Sequence, residues 1–111
     1  MRLTIIRPDT TVYMDGAVHT VEKIADVIPA DVSVLQWYDG RGWIEFEPYE
    51  FGGSKPNNRH ITELPEWVDT CKIMVAEYVL QKQVEELQYQ EQIAIESQEA
   101  TIPVAVLGAS I

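Results

Sequence analysis

The chain has 111 residues, which suits one domain with a single modest core and leaves little room for a buried catalytic cleft. Hydrophobic residues make up 46% of the sequence, and this excludes wholesale disorder. The formal net charge is −10, from 18 acidic and 8 basic side chains. That sign disfavours contact with nucleic acid or anionic lipid, because both are bound mainly through Lys and Arg.

The single cysteine, Cys71, excludes an intrachain disulfide and a paired-cysteine metal site. The stretch MRLTIIRPD reaches a proline and an acid too early for the apolar part of a signal peptide. No apolar run approaches the length needed to cross a bilayer. We therefore expect a soluble protein made in a cytoplasm, without membrane contact.

Residues 1–63 predict an antiparallel β domain. Short β-favouring runs occur at residues 3–6, 11–14 and 17–20. Asp15-Gly16 lies between the second and third runs and is a strong hairpin signal, because both turn positions need a positive φ. This turn sets Met14 opposite Ala17. Residues 22–31 then predict a connector with room for one helical turn.

The stretch LQWYDGRGWIEFE, residues 35–47, predicts a second hairpin. With Gly40-Arg41 at its tip, the opposed pairs are Tyr38 with Trp43, Trp37 with Ile44, and Leu35 with Phe46. One face then carries the core residues Leu35, Trp37, Ile44 and Phe46, and the other carries Gln36, Tyr38, Trp43 and Glu45. We therefore expect Trp37 to pack inward and Trp43 to form an aromatic cross-strand pair with Tyr38.

Residues 52–58 are dense in turn formers and predict a loop. Thr62 and Pro65 then predict a helix start, and residues 64–100 predict one long helix. Its first half has an apolar stripe that we expect to pack on the sheet, formed by Trp67, Cys71, Met74 and Tyr78 with Val68, Val75 and Val79 beside it. Its second half has an imperfect heptad seam and is expected to project, with Leu80, Val84, Leu87 and Ala94 in the seam and Glu91 in the skipped position.

The acidic residues of this helix are expected to form a solvated face. Residues 101–111, TIPVAVLGASI, have no charged side chain and predict an extended apolar tail. We expect this tail to dock into a partner or a neighbouring copy; folding back on its own domain is the alternative. The predicted fold class is therefore α+β: a small antiparallel β domain of hairpins, one long C-terminal helix and the extended tail.

No motif of a known chemistry is present in the sequence. His19 with Glu45, Glu47 and Glu50 is a weak candidate for a metal site, since acid-rich strands are common on soluble proteins. We predict no catalytic residue, no metal and no cofactor. Tyr38, Trp43 and Tyr49 form a possible exposed aromatic surface, on which a glycan could stack.

Three stretches in order, TVYMDGAVHTV, LQWYDGRGWIEFE and KPNNRHITELPEWV, resemble a group of small proteins that tailed bacteriophages encode near their tail and tail-fibre genes. The resemblance covers roughly residues 3–68 and rests on fold motifs. It implies a non-enzymatic role in the virion or in its assembly, and it carries no functional residues over to this chain.

The sequence thus leads to the hypothesis of a phage structural protein of the tail or tail fibre, located in the virion after synthesis in the host cytoplasm. Its partners would be other phage structural proteins, with a homo-oligomer or several copies in an assembly. The alternatives are a tail-fibre assembly chaperone absent from the mature virion, a capsid decoration protein and a carbohydrate-binding module. The predicted partner-binding residues are Leu80, Val84, Leu87, Ile93, Ile95, Ile102, Val104, Val106, Leu107 and Ile111.

Overall fold

A computed structural model gives the fold as an antiparallel sheet followed by one long helix, an α+β arrangement as predicted. It describes residues 1–48 and 55–98 in full and, for residues 99–110, the backbone alone. The strands are β1 (Arg2–Ile6), β2 (Thr11–Met14), β3 (Ala17–Thr20), β4 (Val32–Tyr38), β5 (Arg41–Phe46) and β6 (Arg59–Ile61). A short 3₁₀ helix (Glu22–Asp26) connects β3 to β4, where the sequence predicts one helical turn.

The six strands form a sheet in the order β3-β2-β1-β4-β5-β6, and every neighbouring pair described is antiparallel. β1 and β4 therefore lie at the centre. Strand β6 is short and follows the loop predicted for residues 52–58, of which residues 55–58 have no regular structure and 52–54 lie outside the described residues. The sequence assigns residues 59–61 to the β domain without marking them as a separate strand.

The first predicted hairpin is confirmed in both turn and register. Met14 lies opposite Ala17 and Tyr13 opposite Val18. The φ angles at Asp15 and Gly16 are 47° and 86°, the positive values that a two-residue turn of this kind requires. The backbone N–H of Arg2 donates to Asp15 Oδ1 at 2.9 Å, so the turn is also tied to the neighbouring strand β1.

The second hairpin is present, but its predicted register is wrong. Its turn is Asp39-Gly40, with φ angles of 46° and 88°, so Tyr38 lies opposite Arg41, Gln36 opposite Trp43 and Leu35 opposite Ile44. Asp-Gly meets the positive-φ requirement better than Gly-Arg does, and it takes the turn one residue earlier. The shift slides β5 by two positions, an even number, so the division of side chains between the two faces is unchanged.

The core lies on one face of the sheet. Leu3, Ile5 and Leu35 on the central strands are at most 1% exposed, as is Ile44 on β5. The helix α1 (Glu66–Ser110) buries its first turns in the same unit through Val68, Cys71 and Val75, whose spacing of three and four places them on one helical stripe. Trp67, Met74 and Tyr78, which the sequence predicts as the stripe itself, are its half-buried flanks.

The helix differs from its prediction at both ends. It begins at Glu66, and the Val68 N–H donates to the Pro65 carbonyl oxygen, so Thr62 does not cap it. Its assigned backbone continues to Ser110, whereas residues 101–111 are predicted to be extended. The side chains of residues 99–110, and Ile111 altogether, lie outside the described residues.

The chain divides into two units, Met1–Tyr78 and Val79–Ile111, with the boundary inside α1. The first unit contains the sheet and the buried turns of the helix. In the second unit, every residue from Leu80 to Gln98 is exposed. No helix among the described residues is long and apolar enough to cross a membrane.

Candidate functional site: the open face of the sheet

The face of the sheet opposite the core carries a concave site. Side chains alternate between the two faces along each strand, and directly opposed residues share a face. Because Leu35 and Ile44 are buried on one face, their neighbours Gln36 and Trp43 lie on the other. We call this second surface the open face.

Two neighbouring rows of side chains cross the open face. In the first row, Arg2 on β1, Tyr38 on β4 and Arg41 on β5 are directly opposed in register. In the second row the register aligns four residues, from β1 to β6: Thr4, Gln36, Trp43 and His60. The strand order therefore brings together residues that lie up to 58 positions apart in the sequence, from Arg2 to His60.

A cavity of about 710 Å³ opens over these two rows. This volume lies within the range of small-ligand sites, although the cavity is broad and open. Three further lining residues, Trp37, Gly42 and Ile61, are directly opposed in register and occupy the strand positions next to the two rows. The lining residues are Arg2, Gln36, Trp37, Tyr38, Arg41, Gly42, Trp43, His60, Ile61 and Thr62.

Among the described residues, the lining contains two arginines and no carboxylate, in a protein of net charge −10. Neither guanidinium forms an ion pair with a carboxylate among residues 1–48 and 55–98. The nearby Asp39 is instead bound by the amino terminus of Met1, at 3.2 Å. The site is therefore a local cationic area, and its two permanent charges remain available to an anionic ligand.

A second carboxylate near the site, Glu45, is also engaged. Its Oε2 accepts a hydrogen bond from Trp43 Nε1 at 3.2 Å, and its Oε1 lies 3.9 Å from Lys55 Nζ. The bond to Glu45 fixes the polar edge of the indole, and 40% of Trp43 stays exposed. Tyr38 is 61% exposed. Of the predicted aromatic surface, the structure thus places Tyr38 and Trp43 in adjacent rows, and Tyr49 lies outside the described residues.

Gln36 is oriented by a hydrogen bond between the neighbouring strands β1 and β4. The Thr4 hydroxyl donates to Gln36 Oε1 at 2.6 Å, so the oxygen of the amide is occupied and its NH₂ group remains a donor. The cavity thus combines three aromatic side chains (Trp37, Tyr38 and Trp43), two cations and a set of neutral polar groups. This combination can hold a ligand that is at once anionic, hydroxyl-rich and apolar on one face.

Sequence reasoning missed Arg2, Arg41 and His60 as members of this site. In the predicted register Arg41 falls in the turn, whereas the Asp39-Gly40 turn places it opposite Tyr38. The Asp-Gly signal at residues 39 and 40 indicates the correct register, because Asp-Gly accepts a positive φ at both turn positions, as it does at residues 15 and 16. Nothing in the sequence pattern alone assigns β6, and therefore His60, to a place beside Trp43.

The predicted partner-binding residues lie in the second unit, and five of them are described and exposed: Leu80, Val84, Leu87, Ile93 and Ile95. At 3.6 residues per turn the first three and Ile95 lie within about 80° of one another around the helix axis. Ile93 lies roughly on the opposite side, near Tyr89. The side chains of Ile102, Val104, Val106, Leu107 and Ile111 lie outside the described residues.

The described residues include no group of three or more His, Cys, Asp or Glu side chains that could hold a metal ion. His19 and Glu45 lie on different strands that are not neighbours, β3 and β5, and Glu50 lies outside the described residues. Cys71 is fully buried, and burial raises the pKa of its thiol to about 11. A thiol in that state is a packing group rather than a nucleophile.

Comparison with protein-family models, with curated proteins and with solved structures finds no match to this chain.

Proposed function

We propose that this protein is a non-enzymatic structural protein of a tailed bacteriophage, a tail or tail-fibre component that assembles through the exposed part of its helix. The observation that supports assembly is the exposure of every residue from Leu80 to Gln98, including six large apolar side chains. A helical segment of this length gains little stability without tertiary packing. Contacts with other chains would supply that packing.

The apolar side chains are arranged to make two kinds of contact. Leu80, Val84 and Leu87 follow each other at spacings of four and three, which is the spacing of a coiled-coil seam. Tyr89 and Ile93 form a second apolar strip on the other side of the helix. We assign the seam to self-association and the second strip to a different structural protein, because one partner helix covers only one side.

The exposed segment of the helix carries a modest net negative charge. Residues 79–98 contain Lys82 and four glutamates, a net charge of 1 − 4 = −3. Three of the glutamates are held by neighbours on the same helix, Glu85 by Gln81, Glu86 by Gln90 and Glu96 by Gln92. Glu91 lies in the seam, and its repulsion between copies would limit the stability of the assembly and favour a partner with basic residues.

Self-association is tested by sedimentation equilibrium of the full chain over a range of concentrations. We expect a concentration-dependent oligomer in the wild type and a monomer when Leu80→Gln and Leu87→Gln are combined. The matched control combines Tyr89→Gln and Ile93→Gln, which changes two exposed apolar residues on the other side of the helix and should leave the oligomer intact. A wild-type chain that stays monomeric with a fully formed helix by circular dichroism would contradict the proposal.

The place in the virion is tested by mass spectrometry of purified phage particles. Stoichiometric presence of the chain supports a structural component. Its absence from particles whose assembly requires it would identify the second candidate, a tail-fibre assembly chaperone, because the same exposed helix would suit a transient partner. A particle image that locates the chain on the capsid would instead identify a decoration protein.

A further inference from the structure

We propose that the cavity on the open face binds an acidic saccharide, with its acidic groups on Arg2 and Arg41 and a sugar ring on Trp43. This site lies wholly within the first unit and does not depend on the exposed helix. The inference is thus independent of the assembly role proposed above, and either can fail without the other.

The two arginines supply the preference for an acid. Among the described residues of the lining they are the only permanently charged side chains, and no described carboxylate pairs with them. Because they lie on strands two places apart in the sheet, with Tyr38 between them, their backbones are about 10 Å apart. Each guanidinium can bind a carboxylate or a phosphate through two parallel hydrogen bonds, so the site suits two acidic groups separated by a spacer.

The aromatic and neutral polar groups supply the preference for a sugar over a plain anion. One face of a pyranose ring presents C–H groups that pack against a flat indole through dispersion. The indole of Trp43 is 40% exposed and its edge is fixed by Glu45, so it offers a rigid surface. Around it, the Gln36 amide, His60 and Thr62 can bond to ring hydroxyls.

The net charge of the chain argues against a nucleic acid on the same surface. A polynucleotide carries a phosphate at every residue, and only two arginines in a protein of net charge −10 would oppose that charge. A saccharide with an acid on alternate rings brings fewer charges for the same length of contact. The cavity is also open to solvent, so a ligand longer than the cavity can extend beyond it.

The test is a titration of the full-length protein, followed by ¹H–¹⁵N NMR, with a tetrasaccharide of alternating hexuronate and N-acetylhexosamine. The matched ligand is the same tetrasaccharide with its carboxyl groups reduced to alcohols. Adenosine monophosphate and inorganic phosphate are the other two probes. We expect shifts at residues 36–43 and 60–62, and an affinity for the acidic form about tenfold higher than for the reduced form.

Matched variants complete the test. Arg2→Gln and Arg41→Gln should each weaken binding of the acidic form by about tenfold, whereas Lys23→Gln, which removes the same charge from an exposed site outside the cavity, should not. Trp43→Leu should weaken both forms, and its control is Tyr13→Leu on the same face, outside the lining. The NMR spectrum of each variant reports directly whether it is folded.

The proposal is overturned if the reduced form binds as tightly as the acidic one, if no saccharide shifts these residues, or if phosphate alone binds as well. Tighter binding of adenosine monophosphate than of the tetrasaccharide would overturn the sugar assignment in favour of a nucleotide. Loss of binding in both arginine variants, with retention in the Lys23 control, supports it.

Discussion

The carbonyl oxygen of Gln36 occupies the space in which a side chain at Gly42 would begin. A Cβ atom built at Gly42 also meets the carbonyl carbon of Gln36 and the Cα of Trp37 at 2.9 Å. These are backbone atoms of the central strand β4, so no change of rotamer can make room. The close approach of the β4 and β5 backbones at the cavity therefore depends on this glycine.

Gly42→Ala should destabilise the first unit by about 1–3 kcal/mol, the usual cost of forcing extra atoms into a packed site. Urea unfolding followed by tryptophan fluorescence measures the change. The control is Arg41→Ala, at the neighbouring exposed position, which should alter the free energy of unfolding by no more than about 0.5 kcal/mol. Equal midpoints for both variants and the wild type would contradict the clash.

Two leucines test whether the units differ in their dependence on packing. Leu35 is fully buried in the centre of the sheet, and Leu87 is 70% exposed on the helix. Leu35→Ala should lower the free energy of unfolding of the sheet by about 2–5 kcal/mol, because it leaves a cavity. Leu87→Ala removes the same atoms and should leave that transition unchanged when measured at a protein concentration low enough to avoid oligomers. An equal loss in both variants would show that Leu87 is covered in the monomer.

The turn residue Asp15 has two separable roles. Its φ of 47° suits Asp and Asn better than Ala, and its Oδ1 accepts the Arg2 N–H at 2.9 Å. Asp15→Ala loses both advantages and should cost about 1–2 kcal/mol of stability. Asp15→Asn keeps the side-chain oxygen and the turn preference, so its thermal midpoint should remain close to that of the wild type. If the two variants melt together well below the wild type, the charge of Asp15 is the dominant contribution instead.

Because the Cys71 thiol is buried, we expect the free energy of unfolding to fall at alkaline pH. Burial raises the pKa of Cys71 from 9.0 to about 11, so between these pH values the unfolded chain releases the thiol proton while the folded chain keeps it. The contribution of Cys71 is therefore fully present below pH 9 and is lost as the pH rises towards 11. Cys71→Ala removes this contribution. Urea titrations at several pH values give the free energy of unfolding of the variant and of the wild type. The difference between the two pH dependences is the contribution of the thiol. If the free energy of unfolding falls equally with pH in both proteins, the alkaline loss does not come from Cys71.

The rate at which a reagent modifies the Cys71 thiol is an independent test of its burial. Because Cys71 is fully buried, a thiol reagent at neutral pH should modify the folded protein only through unfolding, and the unfolded chain at once. The rate in the folded state should therefore rise in Leu35→Ala and not in Leu87→Ala. Rapid labelling of the native wild type would place Cys71 at the surface.

The fold was predictable where local chemistry decides it. Asp15-Gly16 has the turn signal and β-favouring neighbours on both sides, and its hairpin was predicted in the correct register. At residues 39–41 two glycine-containing turns compete. A turn at Gly40-Arg41 pairs Trp43 with Tyr38 across the strands, whereas the turn in the structure, Asp39-Gly40, pairs Trp43 with Gln36. The face of each side chain survived the error, because the slide was by two positions. The pairing of β1 with β4 had no local signal and required the structure.

The cavity was predictable only in part for the same reason. Tyr38 and Trp43 stand out in the sequence by their size, and their place on the outer face follows from alternation. Arg2 and His60 are unremarkable in the sequence and gain their positions only from strand order. In the helix, spacing alone indicates the seam of Leu80, Val84 and Leu87, and 3.6 residues per turn place Ile93 on the other side of the helix.

The pairing of β1 with β4 has a consequence for how the chain folds. Every other neighbouring pair in the sheet joins strands that follow each other in sequence. In the β1–β4 pair, by contrast, the opposed residues Thr4 and Gln36 are 32 positions apart. The first three strands and the β4–β5 hairpin can each form early, and closing the longer loop between them carries the larger entropic cost. We therefore expect the joining of these two parts of the sheet to limit the folding rate, because the core face is complete only after they meet.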